Sequence, residues 1–379
     1  MKRLRMGMVG GGPGSFIGAV HRLAAEMDRD IELVAGAFSS QPDRCAEASK
    51  IYRIDPARSY HHWDEMFAAE ASRDDGIDFV AIVTPNHLHL PVGLAAVHAG
   101  IPVLSDKPMT ALYQEAQQLA EMIATTKVPY RLTYTYSGYP LVREARALVR
   151  DGVIGEIRKV VVEYMQGWLA EPIEREGSKQ AAWRTDPKQA GEGGCIGDIG
   201  VHAFHLAEFV TGVRVEKIRA DLNQVVPGRR LDDDCTIMLR FQNGAPGVLM
   251  ASQIATGDRN AVRLRVYGTK GALDWWQETP NTLTINRPDG SSEVRHAGSQ
   301  LLGADARAST RLPMGHPEGY LEAFANIYRD FAQLLRGEST APLVPGVVDG
   351  LRGMRFVSAA LANNARGEGW TLIPTEDKT

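Results

Sequence analysis

Leu4-Arg5-Met6-Gly7-Met8-Val9, running into Gly10-Gly11-Gly12-Pro13-Gly14-Ser15-Phe16-Ile17-Gly18, is the stretch that decides the fold. The first six residues read as a short buried strand, the glycines as a loop, and the pattern from Ala19 to about Met27 as a helix. Strand, glycine loop and helix in this order make a phosphate-binding turn. Glycines let backbone N–H groups approach a pyrophosphate, and the helix N-terminus favours its charge. Gly10, Gly12, Gly14, Ser15 and Phe16 are the candidate contacts. The spacing departs from G-x-G-x-x-G, because counting from Gly10 the last place is Ser15 and counting from Gly12 it is Ile17. The loop reads as longer than the standard one, and a plain flexible turn is the bland alternative.

A second strand over residues 31–38 delivers Ser39-Ser40-Gln41-Pro42-Asp43-Arg44. An NAD-specific fold carries an acidic residue there for the ribose 2′-hydroxyl. Ser39, Ser40 and Arg44 could instead hold the 2′-phosphate of NADP, or Arg44 is simply a solvated residue of the next helix. NAD and NADP both stay open. Residues 77–83 are the most strand-like run of this half and end at Thr84-Pro85-Asn86-His87-Leu88-His89; residues 101–104 end at Ser105-Asp106-Lys107-Pro108. Ligands of open α/β sheets sit off the carboxyl ends of the strands, so Thr84, Pro85, Asn86, His89, Asp106 and Lys107 are expected against the cofactor. An ammonium held at such a strand end can stabilise an alkoxide, although Lys107 also reads as an exposed turn lysine. Residues 130–136 read as the last strand of a doubly wound, mainly parallel domain spanning 1–136.

After residue 137 the pattern changes. A helix over 141–150 precedes an alternating strand over 157–164, with further strands near 215–225, 235–241, 247–253 and 262–267. Alternation implies one buried face, hence an α+β domain over 137–379 with a large, mostly antiparallel open sheet. Helices near 318–336 and 347–364 are expected to return beside the first domain or the hinge. Within this half, Gly197-Asp198-Ile199-Gly200-Val201-His202 opens an apolar segment. If it is helical, a four-residue step puts Asp198 and His202 on one face, with His205 a turn further along. That is a general base beside a carboxylate; the bland reading is an Asp N-cap and a packed histidine. Trp168, Lys179, Trp183 and Arg184, in a long polar loop just ahead, suit a sugar ring bearing an anionic group, or else loop packing. Asp232-Asp233-Asp234 tempts a metal reading, but consecutive strand residues face opposite ways, so a solvated acidic turn is expected. Zinc at Asp198, His202 and His205 lacks a fourth ligand, and no metal is expected.

At 379 residues, with 44% hydrophobic and 23% charged, the chain suits two ordinary globular domains. A net charge of −4 without a dense Lys/Arg block argues against nucleic acid. Cys45, Cys195 and Cys235 suggest no disulfide framework, so a cytoplasmic setting is expected. The basic start Met1-Lys2-Arg3-Leu4-Arg5 is interrupted by glycines before any export signal develops, and no apolar run approaches a membrane span.

The glycine loop, Thr84-Pro85-Asn86-His87-Leu88-His89, Asp106-Lys107-Pro108 and Gly197-Asp198-Ile199-Gly200-Val201-His202 together resemble the Gfo/Idh/MocA family of sugar and inositol oxidoreductases. The family pattern at the lysine is Glu-Lys-Pro, so Asp106 is a conservative departure. The resemblance implies a Rossmann domain, a C-terminal domain whose open sheet makes homodimers or homotetramers, and a tightly held nicotinamide cofactor, NAD being favoured. It also implies Lys107 and His202 as the catalytic pair, with Asp198 binding substrate or orienting the pair. The activity expected is hydride exchange with a secondary hydroxyl of a sugar, glycoside or inositol, with Tyr136 as a further hydrogen-bond donor. Substrate identity does not transfer. The alternative is a redox-neutral, NAD-dependent glycoside hydrolase acting on an anionic glycoside, for example sulfoquinovosidase-like. A non-enzymatic nucleotide sensor is the third reading, disfavoured by the retained Lys107 and His202.

Overall fold

Strand β1 (Leu4–Gly10) lies inside the first sheet, with Met6, Met8 and Val9 buried. The computed structural model describes residues 3–339 and 343–374. From β1 the chain alternates helix and strand through α1 (Phe16–Glu26), β2 (Ile31–Ala37), α2 (Pro42–Tyr52), α3 (Trp63–Ala71), β3 (Phe79–Val83), α4 (His89–His98), β4 (Val103–Ser105), α5 (Tyr113–Thr126) and β5 (Tyr130–Leu132). The strands pair in the order β2-β1-β3-β4-β5, all parallel. Each position of β3 is buried, which is why it read as an unbroken apolar run rather than an alternating one.

Two boundaries differ from the sequence reading by three residues or more. Helix α1 begins at Phe16, ahead of Ala19, because Ser15 caps it and its Oγ accepts from the Gly18 amide at 3.3 Å. Strand β5 stops at Leu132, short of Tyr136. The chain enters a tight 3-10 turn over Thr135–Gly138, and Gly138 lies so close to helical backbone that a Cβ there would fall 2.1 Å from the Ala323 carbonyl oxygen. Tyr136 is therefore a buried turn residue and not a strand residue.

The second sheet follows α6 (Pro140–Arg150). It is built from β6 (Ile157–Met165), then, after α7 (Lys179–Arg184), α8 (Pro187–Ala190) and α9 (Val201–Thr211), from β7 (Val215–Asn223), β8 (Asp234–Phe241), β9 (Pro246–Ser252), β10 (Ala261–Gly268), β11 (Ala272–Trp276), β12 (Thr282–Asn286) and β13 (Ser292–His296). Helices α10 (Ala304–Ala308), α11 (Tyr320–Leu335) and α12 (Val347–Arg366) precede the short β14 (Thr371–Leu372). The nine strands run β13-β12-β11-β10-β6-β9-β8-β7-β14, antiparallel throughout except for the β6/β9 pair. Alternation held: Cys235, Ile237, Leu239 and Phe241 of β8 are buried while Met238 faces out. The strands β11 to β14 went unread. They are short, and β13 is Ser-Glu-Val-Arg-His, an edge strand with almost no apolar signal.

The chain divides into two units, Met1–Gly138 with Tyr320–Leu351, and Tyr139–Gly319 with Arg352–Thr379. Helix α11 belongs to the first: Phe324, Tyr328 and Phe331 share one core with Met6, Phe79 and Val83. The division falls inside α12, between Leu351 and Arg352.

Candidate active site

In the first unit the glycine loop is shaped by close approach. A Cβ on Gly18 would lie 2.5 Å from the Cα of Gly11, and one on Gly12 would lie 2.8 Å from the Phe38 carbonyl oxygen. Gly10 has a φ of +88° and Gly14 one of +81°, both in the left-handed region. Gly18 thus takes the place of the third glycine that the spacing lacked: it lets α1 press against the loop after a longer turn. Gly18→Ala is expected to push the helix off the loop and weaken dinucleotide binding at least tenfold, read by fluorescence titration. Unchanged affinity would show that the contact relaxes at no cost.

Ser15 is tied up as the cap of α1, and Phe16 is 67% exposed. Ser39 accepts from the Gln41 amide at 3.2 Å, and Ser40 is exposed. Arg44 is not a free solvated residue; its guanidinium donates to the Pro13 carbonyl and braces the loop. At the end of β3, Thr84 Oγ1 and His87 Nδ1 are buried with no hydrogen-bond partner, which in a native fold calls for a ligand or another explanation. A glycine cradle with orphaned polar atoms at the next strand end fits a dinucleotide.

His89 is fully buried and stands between two carbonyls, Pro108 at 2.6 Å and Thr84 at 3.0 Å, so it braces both strand-end turns. Burial pushes its pKa down despite these acceptors. Pro85 and the buried Asn86 open the same short turn. The Asp106 carboxylate accepts from the Lys107 amide and the Thr133 hydroxyl, each at 2.8 Å. Burial works against its charge, but His21, Lys107 and Thr133 hold the carboxyl well below the usual range. Lys107 is half-buried at this turn, and its peptide to Pro108 is cis.

In the second unit, Ile196–Gly200 forms a π-helical turn that runs directly into α9. Asp198 is consequently inside a wide turn and not an N-cap. Its Oδ2 accepts from Arg184 Nε at 3.1 Å and from Gln253 Nε2 at 2.8 Å. The Arg184 guanidinium also lies over Trp183, 4.2 Å from the ring centre, and 5.7 Å from that of Trp168. Of the two readings of Arg184, a contact for an anionic group or a packed loop cation, its pairing with Asp198 and its place over Trp183 favour the second. Lys179 begins α7 and is exposed. His202 is buried, its ring 6.1 Å from that of Tyr164, while His205 stacks on Phe209.

From the Tyr164 hydroxyl, on the ring next to His202, runs a chain of neutral hydrogen-bonding groups. Asn260 Oδ1 accepts from the Tyr164 hydroxyl at 2.8 Å and from Gln166 Nε2 at 2.7 Å, and Gln166 Oε1 accepts from Trp168 Nε1 at 2.9 Å. Tyr164, Gln166, Gln253 and Asn260 were missed by the sequence reading. They come from strand ends and a turn far apart in the chain, and nothing in their local sequence marks them.

The acidic run Asp232-Asp233-Asp234 is not the solvated turn expected. Asp232 and Asp233 are buried. Asp232 accepts from the Gly194 and Ile196 amides, both at 2.7 Å, pinning the turn that leads to Asp198; Asp233 accepts from Val225 and Val226. Burial outweighs the amide bonds and pushes the Asp232 carboxyl up to about 6 from 3.8. A raised carboxyl favours the folded state while protonated. This contribution, roughly 3 kcal/mol at 1.36 per pH unit, is full below about pH 4 and lost as pH rises through about 6. The stability of the native protein relative to Asp232→Asn, from urea unfolding, should therefore decline over that window; a flat difference would refute it. Among the described residues no group of three or more His, Cys, Asp or Glu could hold a metal ion, and no helix is long and apolar enough to cross a membrane.

A parallel sheet with a glycine turn after its first strand is the framework of a dinucleotide-binding domain. The chain belongs to the Gfo/Idh/MocA family: residues 4–134 match the oxidoreductase family with an NAD-binding Rossmann fold, and residues 142–274 match the GFO/IDH/MocA C-terminal domain. It is 31% identical to the uncharacterized oxidoreductase YfiI of Bacillus subtilis, over 97% of this chain and 96% of that one. It is 25% identical to levoglucosan dehydrogenase of Pseudarthrobacter phenanthrenivorans, over 99% of each. An inositol dehydrogenase homolog from Azotobacter vinelandii, solved with NAD+, superposes with a TM-score of 0.94 at 33% identity, covering 98% of this chain and 97% of that one; another structure of it holds NADH and myo-inositol. The protein is an NAD(P)-dependent oxidoreductase of the sugar and inositol type.

Proposed function

We propose that the enzyme moves a hydride between NAD(P) and a secondary hydroxyl of a neutral cyclic polyol, an inositol or a pyranose sugar. The observation that carries this is the neutral hydrogen-bonding chain Tyr164, Gln166, Asn260 and Trp168 that starts next to His202, together with an Arg184 whose charge is already met by Asp198. Such groups suit hydroxyls and a ring face rather than a net anion. The relatives named for inositol and levoglucosan point the same way.

In this reading His202 takes the hydroxyl proton, the Lys107 ammonium stabilises the oxygen as negative charge develops, and Asp198, oriented by Arg184 and Gln253, accepts from a neighbouring hydroxyl. Tyr136 is a further donor candidate, and Trp168 offers its face to the ring. Nicotinamide, when bound, supplies the hydride acceptor. The cofactor contacts proposed are the glycine loop with Ser15 and Phe16, then Ser39, Ser40, Arg44, Thr84, Pro85, Asn86, Asp106 and Lys107, with His89, enclosed between two backbone carbonyls, shaping the turn rather than touching the cofactor. Incubating the enzyme with NAD or NADP and a panel of inositols, aldoses, anhydrosugars and anionic glycosides tests it. Reduced cofactor should accumulate with neutral polyols. Aglycone release from an anionic glycoside without net reduction would instead establish the redox glycosidase, to which the loop with Lys179, Arg184 and two tryptophans is also suited.

A homodimer or homotetramer through the second sheet is proposed on the outward Met238, Tyr267, Trp276 and Val294, all exposed on one face. Sedimentation of Trp276→Lys against the native protein tests it. The three free, buried cysteines suit a cytoplasmic location.

A further inference from the structure

His21 is a buried histidine that the chemistry proposed above leaves without a role. It lies on α1, the helix that begins at the glycine cradle, and is fully enclosed, with Phe324 edge-on at 4.9 Å between ring centres. Its Nδ1 is 2.7 Å from the hydroxyl of Tyr328 on α11, itself buried. Its Nε2 has no hydrogen-bond partner and lies 3.9 Å from Asp106 Oδ2, too far for a hydrogen bond but close for an electrostatic contact. The other Asp106 oxygen accepts from the Lys107 amide and the Thr133 hydroxyl.

We infer that His21 and Tyr328 are positioning residues for Lys107: Tyr328 fixes the imidazole tautomer, His21 presents Nε2–H to Asp106, and Asp106 holds the Lys107 turn. With the Tyr328 hydroxyl donating to Nδ1, the imidazole carries its proton on Nε2, facing the carboxylate. A carboxylate attracted at Oδ2 by that N–H and bonded at Oδ1 by Thr133 and Lys107 is held in one orientation, which sets the backbone that carries the Lys107 side chain. An apolar ring would fill the same enclosure without leaving a polar atom unbonded, so an imidazole here needs an electrostatic reason. Because α1 starts at the cradle, the same link ties the position of the cradle to that of the lysine. An error of about 1 Å in such a group costs about a hundredfold in rate.

The inference rests on Lys107 acting in the proposed reaction, so one measurement is chosen to be independent of turnover. Three variants are compared, His21→Phe, His21→Gln and Tyr328→Phe. In His21→Phe, kcat should fall about 10- to 100-fold, a loss of the size seen when the partner that orients a metal ligand is removed, with KM for the polyol unchanged. His21→Gln should recover most of kcat, since its amide nitrogen can stand where Nε2 stood. Hydrogen exchange at the Lys107 amide, measured without substrate, should quicken in His21→Phe and return in His21→Gln. Native kcat and native Lys107 exchange in His21→Phe, with only a lower Tm, would overturn the inference and leave His21 a packing residue. Should native enzyme turn over no polyol at all, the proposed function fails and the exchange measurement alone decides the link. Where His21→Phe does not fold, Tyr328→Phe, which deletes one oxygen, carries the same two readouts with smaller changes expected.

Discussion

His202→Ala is expected to lower kcat by about a thousandfold and to leave cofactor affinity unchanged, the largest catalytic effect expected and within the range for losing the proposed general base. A hydroxyl proton does not leave to water at neutral pH on its own, and an imidazole is the side chain whose ordinary titration range matches that task. In the proposed reaction Lys107→Ala should cost a comparable factor through a different route, the loss of the positive charge that would meet the developing alkoxide. Lys107→Arg should not restore it, because a planar guanidinium cannot occupy the place of a compact ammonium. Steady-state kinetics with the polyol identified by the substrate panel, alongside cofactor titration and a folding check, measures all three. Near-native kcat in both alanine variants would refute the pair.

The largest effect on stability is expected at Arg352. Its guanidinium is buried in the second unit and donates to the Glu208 carboxylate, with Nη2 at 2.8 Å from Oε1, to the carbonyls of Ile373 at 3.1 Å and Pro374 at 2.9 Å, and to that of Val215. Glu208 in turn accepts from the Val215 amide at 2.7 Å and from Arg214 at 2.8 Å. One arginine thereby ties α12, α9, the start of β7 and the segment after β14. Removing one partner of a buried pair leaves the other charge uncompensated, at a cost of about 3–5 kcal/mol, and Arg352→Met also strips three carbonyls of a donor. Urea unfolding should show a loss of that size. The double variant Arg352→Met/Glu208→Gln should lose less than the sum of the single variants, because the second change removes the stranded charge. A loss below about 1 kcal/mol for Arg352→Met would mean that Arg214 alone suffices for Glu208.

Both predictions concern residues of very different legibility. His202 was conspicuous because it closes a short motif with Asp198, and local spacing is something a sequence carries. Arg352 was invisible: it sits in a helix among other polar residues, and its partners lie at positions 208, 215, 373 and 374. The same contrast divides Asp198, which was noticed, from Gln253, Tyr164 and Asn260, which were not. Arg184 was noticed, but its pairing with Asp198 was not. A cation in a polar loop reads as free for a ligand until its neighbour in space is known, and here that neighbour is Asp198. Likewise Asp232 and Asp233 read as solvated because acidic runs usually are, whereas here backbone amides from other segments compensate their burial.

The sequence by itself determined the parallel sheet with its glycine loop, the antiparallel second sheet with one buried face, and the strand ends and helix start that carry Lys107, Asp198 and His202. These follow from periodicity and from residues adjacent in the chain, where hydrophobic patterning and backbone geometry act over a few positions. Only the tertiary structure decided which charges are already matched, which polar atoms are left for a ligand, where Gly18 replaces the missing third glycine, and that Tyr328 reaches His21. Burial and pairing are properties of space: whether a charge is free depends on groups that the fold, and not the order of residues, brings within a few ångströms of it.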